Sequence, residues 1–135
     1  MRLLIKRFNP IKSNSLEQIL KLNDNPKNKF ECRLVRSYPP SDEFKRTLSE
    51  SHSIYERYQM AIHGDAKSDC TLKQFKDFLC ESCLQKQSSF KSPSYGYGSF
   101  HLQYYLNEKM IACSVLDILP SGISSVYFYY DPDFG

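Results

Sequence analysis

The most regular pattern of hydrophobic positions in the chain lies between Ser41 and Gly64. Apolar or small side chains recur there at steps of four and three residues, which places them on one stripe of a helix. Ser41 is a good N-cap, and Asp42 and Glu43 suit the positive end of the helix dipole. Gly64 supplies a C-terminal stop, so we predict a long helix over residues 41–63. Its buried stripe is expected to consist of Phe44, Leu48, Ser51, Tyr55, Tyr58 and Ile62.

A second helical pattern follows after a short break. Thr71 and Gln74 have the spacing of a capping box, which predicts a short helix over residues 71–80. Its apolar face would be formed by Leu72, Phe75, Phe78 and Leu79. Residues 81–94 are dominated by Ser, Lys and Pro, so we interpret them as a flexible loop.

Alternation of apolar and polar residues marks the strands. Phe30 to Arg36 alternates in this way and is ended by two prolines. After the loop, Ser99 to Leu106, Met110 to Leu119 and Ile123 to Tyr130 are separated by short turns, which predicts an antiparallel three-strand meander. We therefore expect an α+β fold in which the meander, at about 99–130, is packed by the long helix and the short helix.

Composition limits the number and kind of domains. The 135 residues suffice for one domain. Residues 1–29 contain seven Lys or Arg and five Asn, so we interpret them as a basic linker or tail, with the domain at residues 30–135. No apolar stretch reaches the length of a membrane span or signal peptide, so no membrane partner is expected. Five cysteines, an odd number, favour a reducing compartment.

Charge is distributed unevenly along the chain. Residues 1–91 hold seventeen Lys or Arg against eleven Asp or Glu, whereas residues 92–135 hold one cation, Lys109, and four acids. The net charge of +3 conceals this division. Seven of the ten tyrosines also lie in the second part, which is typical of a sheet.

Cysteine spacing suggests one candidate metal site. Cys80 and Cys83 have the spacing of zinc ligands, and His63 and Cys70 could complete a set of four. Cys80, however, falls on the apolar face of the short helix, and a second pair of ligands with the same spacing is missing. Free thiols are the favoured interpretation, so no metal is expected.

The segment Tyr95 to His101 contains two glycines directly before a strand. Glycine lets the backbone pass close to another group, so this loop suits a substrate pocket. An ordinary aromatic turn with a hydrogen-bonded histidine is the alternative.

Three aspartates are candidates for proton transfer. Asp117 interrupts an apolar strand, where it would act as a general base or cap the next turn at the rim of the sheet. Asp131 and Asp133 could pair as acid and base, although Asp-Pro-Asp is also common in turns.

Several longer motifs resemble a known family. They are Arg33–Ser37, Tyr55–Asp65, Phe78–Cys80, Gly96–His101, Leu116–Pro120, Ser124–Tyr127 and Tyr129–Asp133. Together they resemble the C-terminal region of the eukaryotic arginyl-tRNA-protein transferases, over roughly residues 30–134.

This resemblance implies a transferase that moves arginine from arginyl-tRNA onto the α-amino group of proteins beginning with Asp, Glu or oxidised Cys, and so marks them for ubiquitin-dependent degradation. It also implies a fold like that of N-acetyltransferases, and residence in the cytoplasm and the nucleus. The family's N-terminal iron–sulfur domain is absent from this chain, so no cofactor is expected in this segment. The family continues beyond Asp133 with a strand-to-helix crossover, so an incomplete domain is expected.

The implied reaction suggests roles for individual residues. A carboxylate or a water chain suffices as base because the α-amine is already partly neutral, and Asp117, Asp131 and Asp133 are the candidates. Recognition of an acidic N-terminus needs cations or donors. The substrate-binding candidates are Arg57, His63 and His101, with Tyr95 and Tyr97 as pocket walls, and Tyr104, Ser125 and Tyr127 from the family-like motifs. Phosphates of the tRNA could be contacted by Arg2, Lys6, Arg7, Lys12, Lys27 and Lys29, and an ordinary solvated face is the alternative for this run of cations.

Two other functions stay open at this point. The chain could be a non-catalytic piece that only binds peptide N-termini or tRNA. It could also be a coenzyme A-dependent acyltransferase of the same broad fold.

Overall fold

The computed structural model describes residues 28–134, which form one antiparallel sheet covered by two helices. The elements are β1 (Phe30–Tyr38), α1 (Asp42–Tyr58), α2 (Leu72–Leu79), β2 (Gly98–Leu106), β3 (Lys109–Leu119) and β4 (Gly122–Tyr130). Short helical turns follow at Gln59–His63, Lys67–Asp69 and Pro132–Phe134. The predicted basic linker lies outside the described residues, apart from Asn28 and Lys29.

The sheet has four strands in the order β1-β2-β3-β4, so the α+β class is confirmed while the expected strand number of three is too small. The extra strand is β1, which pairs antiparallel with β2 from Phe30 opposite Leu106 to Tyr38 opposite Ser99. Its alternation was visible in the sequence. Its partner lies about sixty residues further on, and a local pattern does not identify so distant a partner.

The meander is held in register by tight turns. Asn107 and Glu108 both have positive φ, 48° and 69°, as a two-residue hairpin turn of the favoured twist requires. β3 then pairs with β4 from Leu119 opposite Gly122 to Ala112 opposite Tyr130, with one irregularity after Val115.

The long helix begins and ends close to the predicted positions. The Ser41 hydroxyl accepts a hydrogen bond from the Phe44 N–H at 3.2 Å. The last predicted turn differs, because Gln59–His63 forms a wider π-helical turn before Gly64 stops the helix at φ +73°. This wider turn moves Ile62 out of the buried stripe, and its side chain is 49% exposed.

α2 has the predicted capping box, in which Thr71 and Gln74 exchange hydrogen bonds. Phe75 and Leu79 are buried, as expected from the apolar pattern. Leu72 and Phe78 are exposed, because a helix of eight residues presents only one narrow stripe to the sheet.

Both helices pack on one face of the sheet, where the core lies. Its members include Val35, Ile54, Phe75, Met110, Cys113 and Tyr129. The opposite face is also apolar and remains accessible at β4, where Ile123 is 65% and Phe128 47% exposed. Among residues 28–134, no helix has the length and apolar character needed to cross a membrane.

Candidate functional site

The loop before β2 is held by a residue from another strand. Arg36 of β1 donates one hydrogen bond to the carbonyl oxygen of Tyr97 at 3.0 Å and another to that of Tyr95. Its guanidinium lies 4.3 Å from the centre of the Phe100 ring, within the range of a cation–π contact. Arg36 therefore fixes the backbone of the glycine-containing loop against the end of the sheet.

The two glycines are needed for this close approach. Gly96 has φ +78°, and a Cβ atom there would lie 2.8 Å from the carbonyl oxygen of Gln87. At Gly98 a Cβ atom would lie 2.7 Å from Nη1 of Arg36. The close contacts that the sequence predicted are thus made to other parts of this chain, Arg36 and the loop after α2.

The loop after α2 turns back to form a groove with Tyr97. The Tyr97 N–H donates to the Gln87 carbonyl at 2.8 Å. Two adjoining hollows of about 350 and 760 Å³ share Gln87, Tyr97 and the β3–β4 turn residue Pro120. We name this concave region the Tyr97 groove. Two cations, Lys86 and Lys91, also line it.

Asp117 lies half-buried near this end of β3 and belongs to a chain of hydrogen bonds. The Ser99 hydroxyl donates to Asp117 Oδ1 at 2.6 Å, and the hydroxyl oxygens of Ser99 and Ser82 are 2.7 Å apart. The Leu84 N–H donates to Ser82 Oγ at 3.0 Å, and Leu84 lines the Tyr97 groove. Of the three predicted aspartates, Asp117 is the one that the structure connects to the groove.

Asp131 lies at the opposite end of the sheet and is fully buried. Arg57 donates to both of its carboxylate oxygens, at 2.7 and 2.8 Å, and Lys109 Nζ is 3.1 Å away. Burial favours the neutral acid, but the hydrogen bonds from Arg57, from the Asp133 N–H and from Lys109 outweigh it, and the pKa of Asp131 is lowered.

This geometry favours a structural role for Asp131 over the predicted role as a base. A carboxylate whose oxygens are occupied by two cations is a poor proton acceptor, so Asp131 is placed to hold the fold together. Nη1 and Nη2 of Arg57 both donate to Asp131, and the Arg57 side chain is 40% exposed. Asp133 is exposed, with Oδ2 3.4 Å from Arg57 Nη1.

His101 points into the core instead of into a pocket. It is 0% exposed, its Nε2 lies 2.9 Å from the Leu79 carbonyl oxygen, and its ring meets Phe44 edge-on at 5.1 Å. Burial lowers the pKa of His101 to about 4, although the bond to Leu79 opposes this. His101 is therefore neutral near pH 7 and cannot contact a substrate in the groove.

The other predicted substrate-binding residues are scattered. His63 is exposed beyond the end of α1, with its ring edge-on to Tyr58 at 5.4 Å. Tyr127 donates from its hydroxyl to Gln59 Oε1 at 3.1 Å, whereas the Tyr104 hydroxyl lies 3.1 Å from that of Ser114. Ser125 is exposed on β4. Of the predicted substrate-binding residues, Tyr97 lines the groove, whereas the ring of Tyr95 lies edge-on to that of Phe100 at 5.7 Å.

The cysteines do not form the zinc site considered above. Burial raises the pKa of the Cys80 thiol to about 12, which disfavours the thiolate that a metal needs, while Cys83 is exposed. No three His, Cys, Asp or Glu side chains within residues 28–134 cluster in a way that could hold a metal ion.

Four residues at this end of the sheet were not singled out from the sequence: Arg36, Ser82, Lys86 and Lys91. Three of them lie in a loop without hydrophobic periodicity, where a sequence pattern carries little information. Arg36 had a usable signal, since it is a cation in an alternating strand whose neighbours on the same face are apolar.

Comparison with known proteins gives a consistent family. The family described as "Arginine-tRNA-protein transferase, C terminus" matches residues 50–135. Arginyl-tRNA-protein transferase 1 of Drosophila melanogaster is 45% identical over 108 residues, which are 80% of this chain and 22% of that protein. The Arabidopsis thaliana protein of the same name is 38% identical over 112 residues, 80% of this chain and 16% of that protein.

A more distant relative is the aspartate/glutamate leucyltransferase of Shewanella putrefaciens. It is 31% identical over 115 residues, which are 73% of this chain and 43% of the relative. The chain spans about a fifth of the length of the Drosophila and Arabidopsis relatives.

Proposed function

Because this chain belongs to the family of the C-terminal region of arginine-tRNA-protein transferases, we propose that it forms part of an aminoacyltransferase that moves arginine from arginyl-tRNA to a protein. The family match over residues 50–135 carries the proposal, since it includes both Tyr97 of the groove and Asp117. The acceptor would be the α-amino group at the start of the protein substrate.

The chemistry suits the groups at the Tyr97 groove. An aminoacyl ester is already activated, so amide formation requires orientation of the two substrates, a neutral amine and stabilisation of the tetrahedral oxyanion. None of these needs a cofactor. The α-amine has a pKa near 8 and is partly neutral at pH 7, so one carboxylate such as Asp117 suffices to accept its proton.

We propose that the protein acceptor begins with Asp, Glu or oxidised Cys. The name of the Shewanella relative couples aspartate and glutamate to aminoacyl transfer, which supports acidic acceptors. In this chain Lys86 and Lys91 are the cations that line the groove, so they would attract an acidic side chain in place of Arg57 and His101. Tyr97 would supply apolar contact beside them.

The remaining substrate and the cellular role are part of the same proposal. The cations of residues 1–29 would contact tRNA phosphates, and Lys29 is the exposed member among the described residues. Arginylated products would enter ubiquitin-dependent degradation through the N-degron pathway, in the cytoplasm and the nucleus.

A transfer assay tests the proposal. The purified 135-residue chain would be incubated with tRNA charged with radiolabelled arginine and a peptide beginning with Asp. In parallel, the Drosophila relative would be assayed with this chain replacing its aligned segment. We expect label in the Asp peptide with at least one of the two proteins and little in a matched Ala peptide. No transfer by either, while the unmodified Drosophila relative is active, would refute the activity.

The second candidate function is binding without transfer. It is favoured by Lys86 and Lys91, because two cations lining the groove would bind an acidic peptide whether or not transfer follows. Calorimetry of the purified chain against the Asp and Ala peptides separates the two. Heat of binding with the Asp peptide, together with no arginine transfer by the isolated chain or by the Drosophila protein that carries it, would favour binding alone. Arginine transfer by the isolated chain would exclude binding alone.

A further inference from the structure

Asp117 does not line the Tyr97 groove itself, but two hydroxyl groups connect it to the groove wall. Ser99 on β2 is buried and Ser82, in the loop after α2, is half-buried. The two spacings, 2.6 Å from Ser99 Oγ to Asp117 Oδ1 and 2.7 Å from Ser99 Oγ to Ser82 Oγ, are both those of good hydrogen bonds.

Proton counting fixes the direction of this chain of bonds. A hydroxyl has one hydrogen, and an ionised carboxylate can only accept. The Ser99 hydroxyl must therefore donate its single hydrogen to Asp117. The Ser82 hydroxyl must in turn donate to the oxygen of Ser99. The Leu84 N–H, 3.0 Å away, occupies one acceptor site of Ser82 Oγ. Ser82 is half-buried and directly precedes Cys83 and Leu84, which line the groove, so its second lone pair is available to accept a proton.

Contacts among α2, β2 and β3 hold the three residues of this hydrogen-bonded chain in place. The Nε2 of His101 holds the Leu79 carbonyl at 2.9 Å and thereby fixes the end of α2 three residues before Ser82. Pairing of Ser99 with Asp117 in the sheet fixes the other two members. The chain is thus set before any substrate enters, which is what fast proton transfer requires.

We propose that Ser82, Ser99 and Asp117 form a proton relay that accepts the proton of the attacking α-amine. This proposal rests on the transfer activity proposed above. As the amine nitrogen bonds to the ester carbonyl, its proton passes to Ser82 Oγ, the Ser82 proton passes to Ser99, and the Ser99 proton passes to Asp117.

The relay resets when the intermediate collapses. The bond from the carbonyl carbon to the ribose oxygen of the tRNA breaks, and that oxygen takes a proton returned from Asp117 along the same path. The products are an amide and a free ribose hydroxyl, so the relay is unchanged at the end of the cycle. Ser82 is the catalytic residue of this scheme, while Ser99 and Asp117 act through it.

Substitutions at Ser82 and Ser99 test the relay in whichever form of the protein shows transfer. Ser82→Ala and Ser99→Ala each interrupt the path and should lower kcat by about a hundredfold or more, the usual contribution of a positioned acid or base. KM for both substrates should stay within about twofold, because the relay acts on a proton that moves in the transition state and contributes little to ground-state binding. Ser82→Thr retains a hydroxyl and should restore most of kcat.

Two controls separate the relay from general damage to the fold. Ser51→Ala removes a buried hydroxyl that lies 2.7 Å from the Tyr129 hydroxyl, away from the groove, and Ser53→Ala removes an exposed one. Both should retain wild-type kcat once the folded fraction is measured by circular dichroism. A solvent deuterium isotope effect on kcat that is present in the wild type should shrink in Ser82→Ala.

The outcomes are distinct. An active wild type together with wild-type kcat in Ser82→Ala, or with Ser82→Thr as slow as Ser82→Ala, would overturn the relay and leave the transferase activity standing. A wild type without transfer in any form removes the activity and the relay together. A loss confined to kcat and rescued by threonine supports the relay.

Discussion

At the scale of single residues, Arg36 shows how one side chain determines the shape of a site. Its two hydrogen bonds go to backbone carbonyls, Tyr95 and Tyr97, and its flat guanidinium covers Phe100. Lysine could supply the charge but not two bonds in a fixed fork together with the flat contact. The backbone around Gly96 is therefore fixed from two sides, by Arg36 and by Gln87.

The first prediction concerns that glycine. Gly96→Ala should destabilise the chain by at least about 1 kcal/mol more than Gly64→Ala, because a Cβ atom would collide with a neighbour at Gly96 and with nothing at Gly64. Gly64 is a matched control, since its φ of +73° is close to the +78° of Gly96 and nothing lies within 4 Å of its Cβ position. Urea unfolding of the two variants gives the difference. Equal losses would show that the close contact with Gln87 is unimportant.

The second prediction concerns His101 and pH. Its pKa is about 4 in the folded chain, against an ordinary value of 6.5, because burial disfavours the charged ring. The unfolded chain therefore binds a proton first as the pH falls. Stability should decrease from about pH 6.5 to pH 4, by about 3 kcal/mol in total, and this part of the pH dependence should level off below that.

Unfolding free energies of wild type and His101→Gln, measured between pH 7.5 and 4, check this expectation. The variant should have a flatter profile, because glutamine does not titrate. Ser51→Ala serves as the control, since loss of a buried hydroxyl should lower the whole profile without changing its slope. A wild-type slope in His101→Gln would contradict the assignment of the proton to His101.

At the scale of elements, α2 is short and depends on its first turn. The capping box of Thr71 and Gln74 satisfies the N–H groups that begin the helix. The third prediction is that Thr71→Ala destabilises the chain by about 1 kcal/mol. Lys73→Ala, at an exposed position of the same helix, should change stability by less than about half of that.

Thermal or urea unfolding gives both values. Loss of equal stability in the two variants would mean that the capping box is not what holds the first turn. Because α2 carries the Leu79 carbonyl that meets His101, Thr71→Ala should also loosen the loop that forms the groove.

The elements also show how far the sequence could predict the fold. Helix periodicity from Phe44 to Tyr58 and the turns of the meander are local signals, and they identified the elements correctly. The pairing of β1 with β2 and the exposure of Ile62 were missed. The β1–β2 pairing depends on a partner strand that is distant in the sequence. The exposure of Ile62 depends on a change of helical pitch that no single residue in the sequence indicates.

The same limit applies to the site. Asp117 and Tyr97 stand out in the sequence because a polar residue in an apolar strand and a glycine-flanked tyrosine are unusual in themselves, and their roles stay predictions. Nothing in the sequence shows that Arg57 donates to Asp131 or that His101 Nε2 lies against the Leu79 carbonyl. Contacts between polar groups that are far apart in the sequence depend on the tertiary fold, and a local sequence pattern does not predict them.

At the scale of the whole molecule, the two ends of the sheet differ in structure. One end carries the Tyr97 groove, and the other carries Asp131, which joins Arg57 of α1 to Lys109 of β3. The fourth prediction is that Asp131→Asn lowers the unfolding free energy by about 2 kcal/mol. This is less than for a fully buried ion pair, because Arg57 is 40% exposed.

Lys45→Ala is the matched control, because it removes an exposed ion pair with Asp42 on the same helix and should cost little. Urea unfolding gives the two stabilities, and transfer per folded molecule should fall less in Asp131→Asn than in Asp117→Asn. If Asp131→Asn is as stable as the wild type but transfers no arginine, Asp131 is the base after all.

The strand order has a consequence for the folding kinetics of this chain. β2, β3 and β4 are joined by hairpins, so their pairing closes short loops, whereas β1 must find β2 across about sixty residues. Loop closure of that length is entropically costly and slow. We expect the hairpins to form in the transition state and β1 to dock later. Arg36 is part of β1, so the loop of the Tyr97 groove is fixed only when β1 docks. We therefore expect a folding intermediate in which β2, β3 and β4 are paired while the Tyr97 groove is not yet formed.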